Sequence, residues 1–457
     1  MNIVIVGDGK VGHTLAERLS DSRQNTITVV DNDIHALKKT EYALEVNTIL
    51  GNGARPSTQR QARSDKADLF IATTDSDERN IVCCLTAKKL GAKRTIARIR
   101  DPQYADELRS MAADFEIDYV INPEQIVAGD IARHLAYQFA YNIEMFARGR
   151  AMMLEMKVTP DLPIVGRQVV DVNRRISSSI LIGAILRGET VEIPKGESRI
   201  LAGDHIFLVG SASRISSFCD AIGVHREKAK SVMIIGGGRI AYYLAKQLYE
   251  ENIYVKIIEV SKQRADELAE LLPGDILIVN DDGTDDKILL SENLAETDAF
   301  VAVTGIDEEN IMTALFAKSV GVPEVIAKTN HIGYSSVIKN LGIDYISNPK
   351  ELTTNVILRY IRGLKNASDS TVNTLYPIVG GKAEAIEFTA GENTKHLDIP
   401  LSRLQLIPGV LVGIIVRRGE VIIPFGKDAI KKGDNVIIFS VGKQLSNLND
   451  IFVRVRD

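Results

Sequence analysis

The chain is written twice, and that repetition limits its fold more than any single motif does. "IVIVGDGKVGHTLAERL" from Ile3 returns as "VMIIGGGRIAYYLAKQL" from Val232, so Gly9 corresponds to Gly238, 229 positions later. Asp31 corresponds to Glu259 at an offset of 228. "ADLFIATTDSDERNI" returns as "TDAFVAVTGIDEENI", which sets Asp77 on Asp307 and Asn80 on Asn310 at 230. "IARIRDP" returns as "IAKTN", setting Arg98 on Lys328. Near the end of each half, "ILIGAILRGETVEIPKGESRILAGDHIFLVG" returns as "VLVGIIVRRGEVIIPFGKDAIKKGDNVIIFS", pairing Gly183 with Gly413 and Pro194 with Pro424. This agreement identifies a tandem duplication.

Each half divides again. Its first part alternates short apolar runs with helical patterns, the signature of parallel βαβ units, with strands expected at "NIVIVG", "ITVVD", "TILGN", "LFIATT", "TIARIR" and "DYVIN". The remainder is a small α+β module, in which "SILIGAILRGETVEI" makes two strands around an Arg187-Gly188-Glu189 turn and "GDHIFLVG" a third. The expected domains are residues 1–140, 141–228, 229–367 and 368–457, with polar seams at "REKAKS" and "GLKNASDSTVN". The fold class is α/β: a doubly wound, Rossmann-like parallel sheet domain followed by a small α+β domain, duplicated in tandem.

The glycine-rich stretch after the first strand has the spacing GxGxxG, with a strand before it, a helix after it and an acid 24 positions beyond Gly7. Gly7 permits a tight turn, Gly9 lets backbone approach a pyrophosphate, and Gly12 lets helix and strand pack closely. Helix N-terminal amides then face the phosphates, each favourable charge–dipole contact contributing about 0.3–1 kcal/mol. Asp31 and Glu259 end second strands, where a carboxylate accepts hydrogen bonds from ribose hydroxyls and disfavours a 2′-phosphate, hence NADP. NAD, ATP and ADP share the adenosine half, so these residues do not separate them. Two departures stand out: Asp8 places a carboxylate within the phosphate turn, and the third glycine of the second half is Ala241. Arg98 and Lys328 lie at strand ends, where a cation reaches a terminal phosphate.

Other classes find little support. A net charge of -5 without a Lys/Arg block, no Trp and only 5% aromatics give no basis for nucleic-acid binding. Three cysteines without a CxxC fit a reducing compartment, and no apolar run reaches the roughly 18 residues of a membrane span. Cys83-Cys84 reads as buried packing. The seven histidines, His13, His35, His134, His205, His225, His331 and His396, form no acid/base motif and none recurs at the repeat offset. His13 and His35 read as surface or helix-flank residues. A Walker lysine motif is also missing. An NAD-dependent oxidoreductase and a nucleotide-stabilised assembly protein are the alternatives to a sensor.

With both fingerprints, the TTDSDERN/VTGIDEEN loops and the RGE hairpins in view, the chain resembles the TrkA family, regulatory subunits of bacterial Trk-type potassium uptake systems built from RCK-N (KTN) and RCK-C domains. The resemblance implies binding of NAD(H) and of ATP or ADP, self-association into a ring as a dimer or tetramer, and no enzymatic activity. It further implies a membrane-embedded potassium translocation subunit as partner, and a cytoplasmic location, peripheral on the inner face of the cell membrane. Carried over by position, the nucleotide residues are Gly7, Asp8, Gly9, Lys10, Val11, Gly12, Asp31, Thr74, Asp75 and Arg98 in the first half. In the second they are Gly236, Gly237, Gly238, Arg239, Ile240, Glu259, Thr304, Gly305 and Lys328. The resemblance also implies that the helix opening at Asn122-Pro123 crosses to a neighbouring domain, with Ile126, Val127, Ile131 and Leu135 as its apolar contact.

Overall fold

A computed structural model describes residues 1–20, 25–102, 104, 116–137, 140–175, 180–224, 229–330, 342–367, 372–378, 382–443, 445 and 447–453. His225, His331, the start of "REKAKS" and the centre of "GLKNASDSTVN" lie outside them.

The first half opens with β1 (Asn2–Val6), α1 (Lys10–Ser20), β2 (Thr26–Asp31), α2 (Ile34–Ala43), β3 (Asn47–Leu50) and α3 (Pro56–Gln61). It continues with β4 (Leu69–Ala72), α4 (Asp77–Leu90), β5 (Thr95–Arg98), β6 (Tyr119–Ile121) and α5 (Pro123–Ala136). All neighbouring strands are parallel, in the order β3-β2-β1-β4-β5-β6. The order reverses between β1 and β4, the switch point at which open α/β sheets bind ligands. β4 is buried along its whole length and β1 nearly so, because helices cover both faces, which is why these runs lack polar alternation. α4 carries its own signals: the Ser76 hydroxyl accepts from the Arg79 amide at 3.1 Å, Asp77 and Glu78 stand in the first turn, Lys88 and Lys89 in the last, and Gly91 follows with φ 121°.

The small module that follows comprises β7 (Ala140–Phe146), β8 (Ala151–Lys157), α6 (Val169–Arg175), β9 (Leu181–Arg187), β10 (Thr190–Glu192), β11 (His205–Gly210) and α7 (Ala212–Ala221). Its antiparallel sheet runs β10-β9-β11-β8-β7, with the RGE turn between β9 and β10. The second half repeats the plan: β12 (Ser231–Ile235), α8 (Arg239–Glu250), β13 (Tyr254–Ile258), α9 (Lys262–Leu271), β14 (Leu277–Val279), α10 (Asp286–Ser291) and β15 (Ala299–Ala302). Then come α11 (Asp307–Val320), β16 (Glu324–Lys328), β17 (Tyr345–Ser347) and α12 (Pro349–Ala367). The parallel order β14-β13-β12-β15-β16-β17 matches the first sheet. The last module holds β18 (Val372–Ile378), β19 (Ala383–Thr389), β20 (Val410–Arg417), β21 (Glu420–Ile422) and β22 (Asn435–Val441), ordered β18-β19-β22-β20-β21.

The chain does not pack half by half. One compact unit is Met1–Ala136 with Lys228–Ile357, the other Tyr137–Glu227 with Leu358–Asp457, so like domains pair with like. The second division falls inside α12. In the first unit, α5 lays Val127, Ile131 and Leu135 against Ala241, Leu244 and Leu248 of α8 in one continuous core. Polar contacts flank it: Asn122 donates to the Tyr243 hydroxyl at 2.8 Å, and the Tyr345 hydroxyl donates to Asp130 at 2.7 Å. Ile126 is half-buried and is not part of that core.

In the second unit, Phe146, Met153, Ala184, Phe207 and Val209 share a core with Ala385, Ile414, Ile437 and Phe439. Arg187 on buried Asp204 and Arg417 on buried Asp434, each with two contacts of 2.8–2.9 Å, fasten equivalent hairpins of the two modules. The repeat-matched glycines sit at register shifts in β9 and β20. A Cβ on Gly413 would lie 2.4 Å from the Phe439 ring, and one on Gly183 would lie 3.0 Å from the same ring. Gly413→Ala is therefore expected to destabilise this unit by about 1–3 kcal/mol through overpacking, with Gly183→Ala milder. Chemical denaturation of the two variants checks the order.

Candidate functional site

At the carboxyl ends of the first sheet's central strands lies a cavity of about 540 Å³, within the roughly 300–1,000 Å³ typical of small-molecule sites. Gly7 shapes its floor. With φ 99° it turns the chain so sharply that a Cβ would lie 2.8 Å from the backbone of Thr73 and Thr74. A Cβ on Gly12 would come within 1.8 Å of the Gly7 carbonyl oxygen, so its glycine serves helix–strand packing and does not line the cavity. Gly9 differs: a Cβ there meets nothing within 4 Å, and the same holds for Gly238. Both face open space, as a backbone approached by phosphates must.

Asp31 and Glu259 have an additional task. Asp31 Oδ2 accepts the Asp8 amide at 2.6 Å while Oδ1 accepts the Asp33 amide at 2.8 Å. Glu259 Oε2 accepts the Gly237 amide at 2.5 Å and Oε1 the Ser261 amide at 2.8 Å. In each half the strand-end acid fixes the glycine turn, and its remaining lone pairs are available to ribose hydroxyls.

Gly7, Gly9, Lys10, Val11, Asp31, Thr74, Asp75 and Arg98 come together around the cavity. Asp8 departs from the sequence expectation. Its carboxylate does not line the cavity: it is buried behind the turn, accepting from the Thr40 hydroxyl at 2.6 Å with His13 Nδ1 3.5 Å away. His13, in α1, is half-buried, its Nδ1 2.7 Å from the Thr40 hydroxyl. Burial pushes the Asp8 carboxyl above the usual carboxylate range, against the hydrogen bond from Thr40.

The rim is built by the TTDSDERN loop. Buried Asn80 accepts from the Thr74 amide at 2.8 Å and hydroxyl at 2.7 Å, and donates to the Arg98 carbonyl at 2.8 Å, tying the ends of β4 and β5 together. Asn310 accepts from the Thr304 amide at 2.8 Å and donates to the Lys328 carbonyl at 3.1 Å, while the Thr304 hydroxyl turns to the Ile306 carbonyl. Asp77 caps the following loop by accepting the amides of Arg100 and Asp101, both at 2.8 Å. Arg98 presents a desolvated guanidinium: Nη2 is 3.9 Å from Glu124, Nη1 is 3.4 Å from the Thr74 carbonyl, and buried Nε has no hydrogen-bond partner. Lys328 instead donates to the Thr304 carbonyl at 2.5 Å, and burial pushes its pKa down against the pull of Asp307.

In the second half Gly236 repeats the turn with φ 89°, its amide donating to the Ile258 carbonyl at 2.9 Å. Gly238 precedes α8, Gly305 follows Thr304 in the rim loop, and Ile240 packs on the shared core. Arg239 turns toward the first half, 3.8 Å from Asp101. The sequence reading missed Asn32, Gly51, Asn52, Gly53 and Arg79, all of which line the first cavity. The signal for three of them was a Gly-Asn-Gly run at the carboxyl end of the third strand, whose glycines are packed against Thr58 and Val6. Cys83 and Cys84 are buried as expected, Cys83 with a thiol pushed up to about 12 by burial.

Comparison with known proteins follows the duplication. The TrkA-N domain family matches residues 3–123 and again 232–349, and the TrkA-C domain family matches residues 153–223. A Trk system potassium uptake protein TrkA homolog 1 of Methanosarcina mazei is 35% identical over 99% of this chain and 100% of its own length. The Trk system potassium uptake protein TrkA of Vibrio alginolyticus is 31% identical over 99% of this chain and 98% of its own. Among solved structures, the GsuK RCK domain superposes with a TM-score of 0.64 at 17% identity, covering 96% of this chain and 92% of that one. The GsuK channel bound to NAD gives 0.64 at 18% identity, covering 96% and 77%. At those identities the likeness establishes a shared fold.

Two substitutions probe these contacts. Asn80→Ala leaves the Thr74 amide without its buried acceptor and is expected to cost about 1–3 kcal/mol in denaturant unfolding. Asp8→Asn works the other way. A carboxyl whose folded pKa is raised stabilises the fold most when protonated and loses that contribution as pH rises through the raised value. The neutral amide removes that loss, so thermal stability is expected to rise at neutral pH and the gain to vanish in acid.

Proposed function

The chain belongs to the TrkA family of potassium uptake proteins, and on that premise we propose that it is a nucleotide-sensing regulatory subunit that gates a membrane-embedded Trk-type potassium transporter. Its named relatives are potassium uptake proteins rather than enzymes. The observation that carries the sensing role is the doubled site: two glycine turns, each held by a strand-end carboxylate, each followed by a helix N-terminus with an open approach at Gly9 or Gly238. NAD(H) and ATP or ADP are the ligands this chemistry suits, and the GsuK channel, a neighbour by fold, has been solved bound to NAD.

Among the described residues no helix is long and apolar enough to cross a membrane. The protein is proposed to work from the cytoplasm, docked on the inner face of its transporter and self-associated into a ring. Nucleotides act there by binding one ring shape better than another. Reversing a 1:99 population takes a preference of about 10⁴-fold, and several sites per ring share that requirement. Arg98, Lys10 and, in the second half, Lys328 are the cations proposed to meet phosphates.

Binding and flux test this. Asp31→Ala and Glu259→Ala are each expected to weaken nucleotide binding at one site and spare the other in calorimetry with NAD, NADH, ATP and ADP; unchanged affinities in both would refute the ribose role. Gly9→Asp with Gly238→Asp points two side chains into open approaches, so folding should survive while ATP, ADP and NADH lose control of rubidium flux through the co-reconstituted transporter. Flux indifferent to every nucleotide in the unsubstituted protein, with transporter binding confirmed, would leave an assembly role only.

A further inference from the structure

Equivalent glycine turns in the two halves are braced by side chains of opposite charge. Behind the first turn, the Thr40 hydroxyl donates its one proton to Asp8 Oδ2 at 2.6 Å, so the 2.7 Å contact with His13 must be a donation from Nδ1–H to Thr40. The result is a directed chain from His13 through Thr40 to Asp8. The Asp8 side chain is 1% exposed and its Oδ1 has no hydrogen-bond partner, while His13, 27% exposed, opens the chain to solvent. Behind the second turn none of this exists. Position 237 is glycine, Tyr242 and Leu268 replace His13 and Thr40, and a Cβ on Gly237 would lie 2.6 Å from Leu268 Cδ1. The Gly237 carbonyl instead accepts from Arg264 Nε at 2.7 Å; Ala36 stands at the corresponding place in the first half.

We propose that the His13–Thr40–Asp8 chain couples nucleotide binding in the first half to proton uptake, and that the second half, braced by Arg264, binds without it. The inference rests on the nucleotide reading above. The charged or titratable groups facing Asp8 are His13 from α1 and Asp31 from the end of β2; α2 offers the neutral Thr40. Asp31 is joined to the same turn through the Asp8 amide, so a pyrophosphate laid over that turn adds negative charge beside two carboxylates. One proton on the chain, at the imidazole or the carboxyl, cancels one of those charges, and the bound state therefore holds that proton more firmly than the free state. By linkage, affinity in the first half rises as pH falls, by up to about tenfold per pH unit for a full proton. Asp8 acts as a positioning residue through the turn backbone.

The test is calorimetry on the full chain in buffers of different ionisation enthalpy, over a range of pH that spans neutrality. Glu259→Ala isolates the first site and Asp31→Ala the second. NAD is the first probe because its pyrophosphate does not titrate in this range; with ADP, the difference between variants removes the ligand's own protonation. Expected is proton uptake with Glu259→Ala, its loss in Glu259→Ala combined with Asp8→Asn, and none with Asp31→Ala. Asp8→Asn should hold at the alkaline end of the range the first-site affinity that Asp8 reaches only at the acid end. Nucleotide binding at the first site without proton exchange, or with the same exchange after Asp8→Asn, overturns the inference and leaves the nucleotide reading intact. Absence of NAD and ADP binding at every pH overturns the nucleotide reading itself, and this inference with it.

Discussion

Everything in the larger unit depends on the burial of one helix face. α5 belongs by sequence to the first nucleotide-type domain, yet Val127, Ile131 and Leu135 find their apolar partners on α8 of the second. A helix with that stripe has no stable alternative but to cover it. The contact also determines the electrostatics of both sites, because Glu124, at the start of α5, stands beside Arg98 while Arg239, at the start of α8, reaches Asp101. The two glycine turns thus border a shared polar seam.

Much of this was legible in the sequence, for definable reasons. The central strands β1 and β4 were readable because a parallel strand covered on both faces needs an uninterrupted apolar run. Gly7, Gly9, Gly12 and Asp31 were readable because each answers a local backbone demand at a fixed spacing. What escaped notice depends on direction rather than residue type. Nothing in "GDGKVGH" says that Asp8 turns away from the cavity and His13 turns in behind it, since both contacts are made with Thr40 from the next helix. Asn80 was visible as a repeated letter, but its work of binding Thr74 to Arg98 requires knowing which strand ends lie side by side. Lys328 was readable as a cation at a strand end, whereas its return to the Thr304 carbonyl is a matter of burial and reach.

Duplication has preserved the frame and released the braces. Both halves keep the turn glycine, the acid that holds it and the asparagine under the rim, positions where the backbone leaves few solutions. Behind the turn, where a side chain only has to support, one half uses an acid with a histidine and the other an arginine.

The smaller unit carries a further consequence. Phe439 closes on Gly413 of its own module and on Gly183 of the other, while the position matching Phe439 in the first module is Val209. One ring fills the space beside both glycines. Two copies of the last module meeting through this face would bring two phenylalanines to room made for one, and two copies of the first would bring only the smaller Val209. The contact is therefore fitted to unlike modules, which the fusion of the two halves into one chain supplies.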